Sequence, residues 1–247
     1  MPSGLSASVG IVADLWRFPV KSFGGERLRR AFLGPFGLLG DRRYAVVDAA
    51  TGEPLTARRL SCLLGFRARS LEPERGEAIA VETPDGRLLP AEDPDLARAL
   101  AAAVGRAVGL ARHPAGFHDA APLHLVAQSS LAALGDRLGE ELDPRRFRAN
   151  LIVENEDGRP FPEPDWLGRR LAVGPSAVVE PLVPTERCAV TTWEPDTLER
   201  DTRVLATIAR ERDNLVGIYA RVLAPGWIAV GDAIHVLDRS AAPVGDR

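Results

Sequence analysis

Short runs of β-branched and aromatic residues, each closed by glycine or proline, recur along this chain and point to a barrel or sandwich of many brief strands. Residues 9–20 (VGIVADLWRFPV) form the first run and stop at Pro19. Residues 28–34 and 42–48 give two more, joined by a connection punctuated by Gly34, Gly37 and Gly40. Thr51-Gly52 marks a hairpin turn, and Pro84-Asp85-Gly86 marks another after the strand-like AIAVET. Strand patterns return at 150–154, 170–173, 177–183, 217–223 and 233–238.

Helical spacing is confined to three places. Over 93–105, Asp93 suits the N-cap, Pro94 the first helical position and Gly105 the stop, with Leu96, Ala99, Leu100 and Ala103 on one face. Residues 129–138 give a second helix, and 201–212 a third, where Val204, Leu205, Ile208 and Ala209 share a side. Strands and helices do not alternate, which argues against a doubly wound sheet. No GxGxxG leads from a strand into a helix, and the glycines of 34–40 sit between two strands, so they read as a loop. The expected class is β-rich α+β: a β-dominated first part, then a mixed part with a few helices. The Ala-, Pro- and Gly-containing end from about Ser240 is expected to fray.

Charge and cysteine usage narrow the function. A net charge of −3 argues against a nucleic-acid or membrane-surface binder. Two cysteines, Cys62 and Cys188, make no disulfide framework or zinc ribbon and cannot supply the four thiolates of an iron–sulfur cluster. The start lacks a basic segment followed by an apolar run, and nothing approaches the roughly 20 apolar residues of a membrane span. A cytoplasmic, reducing setting is expected. Lys21 is the only lysine among 31 basic residues. Because an ammonium and a guanidinium differ at a shaped site, a lone lysine is a candidate functional group, though taken alone it reads first as a surviving surface residue.

Three basic clusters could converge on an anion: Lys21-Ser22 with Gly24-Gly25, Asp41-Arg42-Arg43, and Arg145-Arg146-Phe147-Arg148 leading into Asn150. Spacing alone also allows solvated strand-end charges. Cys62 lies in the apolar run LSCLL and reads as a small hydrophobe. Cys188 follows Arg187 between polar flanks, which favours a thiolate without excluding a packing role. His113, His118 and His124 fit no common zinc spacing, and Ser129-Ser130 lacks a nucleophile elbow.

Taken in order, the motifs are similar to those of the MOSC family. Phe18-Pro19-Val20-Lys21-Ser22, Gly37-Leu38-Leu39-Gly40-Asp41-Arg42 and Leu55-Thr56-Ala57-Arg58 resemble its N-terminal β-barrel domain. His118-Asp119 with Leu123-His124-Leu125, Arg146-Phe147-Arg148-Ala149-Asn150, Pro160-Phe161 with Asp165-Trp166, Arg187-Cys188 and Gly226-Trp227 through Gly231-Asp232 resemble the MOSC domain itself. The resemblance implies an N-terminal β-barrel-like domain at 8–110, a mixed β-barrel MOSC domain at 111–238 and a tail at 239–247. It differs at Ala149, where proline is usual, at Ser61-Cys62, where proline usually follows the Thr-x-Arg motif, and at Leu198, where the Glu194-Pro195-Asp196-Thr197 turn lacks its usual glycine.

The same resemblance implies a molybdenum–molybdopterin cofactor. Lys21, Ser22 and Arg42 would hold its phosphate side, Arg148, Asn150, Arg187 and Tyr219 would add contacts, and Cys188 would be the catalytic sulfur ligand to the metal. A soft thiolate suits such a centre. The implied activity is an oxidoreductase acting on N-hydroxylated or related N–O small molecules. Its electrons would come from a separate ferredoxin-, flavin- or cytochrome-type protein, with no nucleic acid or membrane involved. A Cys188 persulfide passing sulfur to an acceptor, and a non-catalytic cofactor carrier, are the alternatives.

Overall fold

The computed structural model describes residues 5–72, 76 and 78–237; the tail expected at 239–247 lies outside them. The first part of the chain gives strands β1 (Leu5–Arg17), β2 (Glu26–Leu28), β3 (Arg30–Gly34), β4 (Gly37–Leu38), β5 (Tyr44–Asp48), β6 (Arg67–Ser70), β7 (Ile79–Glu82) and β8 (Leu88–Pro90). Helix α1 (Pro94–Val104) and β9 (Val108–Arg112) complete it. There follow β10 (Leu123–Ala127), α2 (Gln128–Leu138), β11 (Leu151–Asn155), β12 (Arg170–Val173) and β13 (Ala177–Glu186). The chain then runs through α3 (Thr202–Arg212), β14 (Leu215–Ala224), β15 (Gly226–Ala229) and β16 (Ala233–Leu237). Among the described residues the fold is therefore strand-rich with three α-helices, as the pattern of the sequence requires.

Seven strands close into a barrel in the order β11-β10-β14-β13-β12-β16-β1, with β1 returning to β11. Closure removes the exposed sheet edges that short strands would otherwise present. Only the β10–β11 pair within it is parallel. The first strand is thus integral to a barrel built mostly from the second half of the chain. At Gly10 the strand lies so close to β11 that a Cβ would sit on the carbonyl of Glu154, and its φ of 148° disfavours any other residue. Val12, Leu15, Leu125, Leu151, Val153, Leu171, Val179 and Ile218 fill the barrel.

A second core gathers Val20, Phe23, Tyr44, Val46, Leu63, Phe66, Ile79, Val81, Leu96 and Leu100 beneath α1, the β5–β9 pair and the β6-β7-β8 sheet. Helix α1 forms where its caps predict. Asp93 accepts a hydrogen bond from the Asp95 amide, and Gly105 ends the helix in the left-handed conformation. Cys62 packs, half-buried, against this core. A third cluster, including Val126, Leu134, Phe147, Ile152 and Ile208, joins α2 and α3 to the outside of the barrel.

The two parts are tied across a seam. Asp196 bridges Arg67 and Arg145, and Arg148 Nη1 donates to the Phe23 carbonyl. The turn that lacks glycine keeps a left-handed residue nonetheless, because Leu198 has a φ of 56°.

Candidate functional site

A cavity of about 740 Å³ opens along the seam. Lys21, Ser22, Arg42, Arg148, Arg187, Cys188 and Tyr219 all line it. Residues up to 198 positions apart in sequence thus meet at one place, from Lys21 to Tyr219. Its volume is ordinary for a small-molecule or cofactor site. Five cationic side chains face two carboxylates, Asp119 and Glu186, so the cavity is basic although the chain as a whole is acidic.

The backbone is unusual here. Ser22, Arg42 and Arg148 have φ values of 73°, 50° and 55°, three of the few non-glycine residues in the left-handed region. Such conformations cost free energy and tend to gather where a site must be held in shape. Each is locked by its surroundings. Ser22 Oγ accepts the Ala57 amide at 2.9 Å, which fixes the loop carrying Thr56 and Arg58 at the cavity wall. Asp41, itself buried, accepts the Phe18 amide at 2.7 Å and pairs with Arg42. Arg42 Nη2 donates to the Arg148 carbonyl at 3.0 Å.

Asn150 stands behind the cavity rather than on its wall. Its Oδ1 accepts the His124 amide at 3.1 Å and faces Arg42 Nη1 at 3.4 Å, while Nδ2 donates to the Trp16 carbonyl at 3.1 Å. It therefore orients two cavity residues from below. Cys188 opens a short 3₁₀ turn, Ala189–Thr192, and its carbonyl accepts both the Thr191 amide and the Thr191 hydroxyl. Arg187 is held by Asn214, whose carbonyl accepts its amide at 2.8 Å.

Three of the cavity arginines, the half-buried Arg42 and Arg148 and the buried Arg187, differ in one respect. Burial works to lower the Arg42 pKa, but Asp41 beside it outweighs burial and raises it. Arg148 and Arg187 have no carboxylate in an ion pair among the described residues. Burial, reinforced by Arg42, pushes Arg148 down to about 9, and burial also lowers Arg187. Arg148 Nη2 and Arg187 Nε lack a hydrogen-bond partner among the described residues. Arg148 also stacks over the Phe18 ring at 4.3 Å, and Arg187 Nη2 donates to the Phe147 carbonyl at 2.8 Å. A buried guanidinium with an orphan donor is costly unless an anion completes it. The wall is built for negative charge.

Lys21 reaches the same cavity. Its Nζ donates to Asp119 at 2.8 Å and to the Phe117 carbonyl at 3.0 Å. Burial works to raise the Asp119 pKa, but Lys21 outweighs it and keeps the carboxyl below its usual range. Tyr219 packs on His124 with ring centroids 5.1 Å apart, and burial raises its phenol.

Several lining residues were not among the site residues expected from sequence, and His124 and Arg58 are two of them. His124 is buried, and burial, Arg187 and Arg42 hold its pKa well below 6.5. Its Nε2 lies 3.4 Å from Arg187 Nη1 and its Nδ1 3.5 Å from the Arg148 carbonyl, so the proton is assigned to Nδ1. Arg58 lies beside Cys188, and that neighbour raises the Arg58 pKa. Both sit in motifs that carry the family resemblance, and that was the available signal. His113, His118 and His124 form no metal-binding group among the described residues.

The MOSC domain family matches residues 112–235, and the MOSC N-terminal beta barrel domain matches residues 9–102. This chain belongs to the MOSC family. Human mitochondrial amidoxime-reducing component 1 is 25% identical over an alignment covering 94% of this chain and 85% of that relative. Rat mitochondrial amidoxime reducing component 2 is 27% identical over 139 residues, 51% of this chain and 40% of the relative. This MOSC chain thus spans well under half the length of the component 2 protein it matches. The YUAD protein from Bacillus subtilis has the same fold, with a TM-score of 0.52 at 15% identity over 92% of this chain and 95% of that one. Among the described residues no helix is long and apolar enough to cross a membrane.

Proposed function

We propose that this MOSC protein holds a molybdenum–molybdopterin cofactor in the seam cavity and reduces N-hydroxylated or related N–O small molecules. The observation that carries the proposal is the pair of arginines, Arg148 and Arg187, each with a buried donor nitrogen that has no partner and neither in an ion pair among the described residues, lining the cavity that also contains Cys188. The residues present fit such a group: cationic donors for a phosphate and a soft sulfur for a metal. Lys21, Ser22, Arg42, Arg148 and Arg187 would hold the anionic part, Asn150 would set Arg42, Tyr219 would line the site and Cys188 would ligate the metal. When bound, the cofactor supplies the two-electron redox chemistry of the reaction.

The chain's own residues do the rest. Arg148 and Arg187 bring charge that folding has already desolvated, so binding an anion recovers interaction without reorganising them. His124, kept neutral, adds no further positive charge between them. Tyr219 retains its phenolic proton at neutral pH on the cavity wall. Removal of one oxygen from an N–O substrate takes two electrons and two protons and releases water. The electrons would come from a separate ferredoxin-, flavin- or cytochrome-type partner, in a cytoplasmic setting. The names of the amidoxime-reducing relatives support this reading.

Elemental analysis with pterin fluorescence, on the wild type and Cys188→Ser, tests it. The wild type is expected to carry stoichiometric molybdenum and the variant to lose most of it. Equal metal in both refutes the ligand assignment. Metal-loaded protein that turns over no hydroxylamine with a supplied reductant indicates a carrier. Cyanide-releasable sulfur on Cys188 without metal indicates sulfur transfer.

A further inference from the structure

A second cavity, of about 960 Å³, lies between the C-terminal end of α2, the loop after it and the neighbouring faces of β1 and β11. Its floor is apolar. Leu131 and Ile152 are buried beneath it, whereas Ile11 and Val230 line it with 39% and 43% of their surface exposed. Around that floor stand five carboxylates, on Asp14, Asp136, Glu140, Glu141 and Glu154, against one cation, Arg27.

That charge is poorly balanced from within. Arg27 already pairs with Asp14 at 2.7 Å, and Glu140 has only Arg203 at 3.6 Å. The carboxylates of Asp136, Glu141 and Glu154 have no ion-pair partner among the described residues. The backbone adds to the imbalance. Helix α2 ends at Gly139, so the negative pole of its macrodipole falls beside Asp136, Glu140 and Glu141, where cations rather than acids are favoured. The one basic residue of its last turn, Arg137, is directed to Glu211 on α3 at 3.1 Å. An exposed apolar floor ringed by uncompensated like charge is destabilising in the free protein and is relieved by a cationic, apolar ligand surface.

We propose that this groove docks a partner protein through an amphipathic segment in which lysine or arginine flanks apolar side chains. The apolar residues of that segment cover Ile11 and Val230, and its cations answer Asp136, Glu141, Glu154 and the end of α2. The groove includes Leu142 and Pro144, from which the chain runs directly through the turn Pro144–Phe147 into Arg148. The occupant therefore sits next to the segment that enters the Cys188 cavity, yet uses none of the residues assigned to cofactor binding.

The test uses two synthetic helical peptides of equal length, one of leucine and lysine and the other of leucine and glutamate, titrated into the isotope-labelled full chain. Fluorescence anisotropy gives affinity and NMR amide shifts give location. The lysine peptide is expected to bind with shifts confined to residues 11–14, 128–144, 152–154 and 230–231, and the glutamate peptide not to bind. The exposed-site triple variant Asp136→Lys, Glu141→Lys, Glu154→Lys is expected to weaken binding by about tenfold or more. If that variant loses stability, the pair Glu141→Gln and Glu154→Gln carries the test, with about threefold weakening expected. Equal binding of both peptides, shifts elsewhere, or unchanged affinity in the variants overturns the proposal. So does a wild-type dimer that the variants dissociate, since the occupant is then a second copy of this chain.

Discussion

At His124 the surroundings fix both tautomer and charge. The Arg148 carbonyl faces Nδ1, Arg187 faces Nε2, and Arg42 adds to the repulsion that keeps the ring neutral. The folded state therefore binds fewer protons at this site than the unfolded chain does. Its contribution to stability is complete above the unfolded histidine value near 6.5 and is lost as pH falls below it. His118, lowered chiefly by burial, acts in the same direction. Thermal unfolding should show a marked drop in Tm between about pH 7.5 and 5.5, and His124→Gln should show a smaller one. An identical pH slope in the variant would contradict the neutral assignment. This residue also shows where reading the sequence stops. His124, like Cys188, Lys21, Arg42, Arg148 and Arg187, stands in a recognisable motif, but what makes it part of the site is its position between residues 24 and 63 places away. Arg58 is similar, because only the fold brings it to Cys188.

Among the elements, the helices were the most legible. Asp93 and Asp201 each accept a hydrogen bond from an amide two residues on, so local chemistry marks the starts of α1 and α3. Strand β10 left no comparable mark. Leu123-His124-Leu125-Val126-Ala127 is buried throughout, so it lacks the alternation that distinguishes a strand from a short apolar run. Strand β6, Arg67-Ala68-Arg69-Ser70, carries no strand signature because its outward face is arginine rather than a β-branched residue. Barrel closure rests on Gly10, which pairs with Asn155 on one side and Ile234 on the other. Gly10→Ala should force β1 away from β11 and cost about 3 kcal/mol or more. Urea unfolding would measure it, and a loss below about 1 kcal/mol would mean that the strands separate easily.

On the scale of the whole molecule, the order of the chain and the order of the barrel differ. Strand β1 comes first in sequence and seventh in the ring, between β16 and β11. A fragment of residues 111–237 should therefore fail to fold cooperatively, and adding a peptide of residues 5–17 should recover part of its structure by circular dichroism. Cooperative folding of the fragment alone would show the first strand to be dispensable. That the first strand joins the later barrel was not legible in the sequence, because hydrophobic alternation says that a strand exists and not which sheet receives it. Lys21 has a consequence of its own. Since it is the sole lysine and lines the seam cavity, the chain has a single ε-amine, and that amine belongs to the site. Acylating reagents, which elsewhere produce a spread of products across many lysines, have one side-chain address on this molecule. The extent of acylation at Lys21, read by peptide mass mapping, can thus record whether the cavity was open or occupied when the reagent arrived.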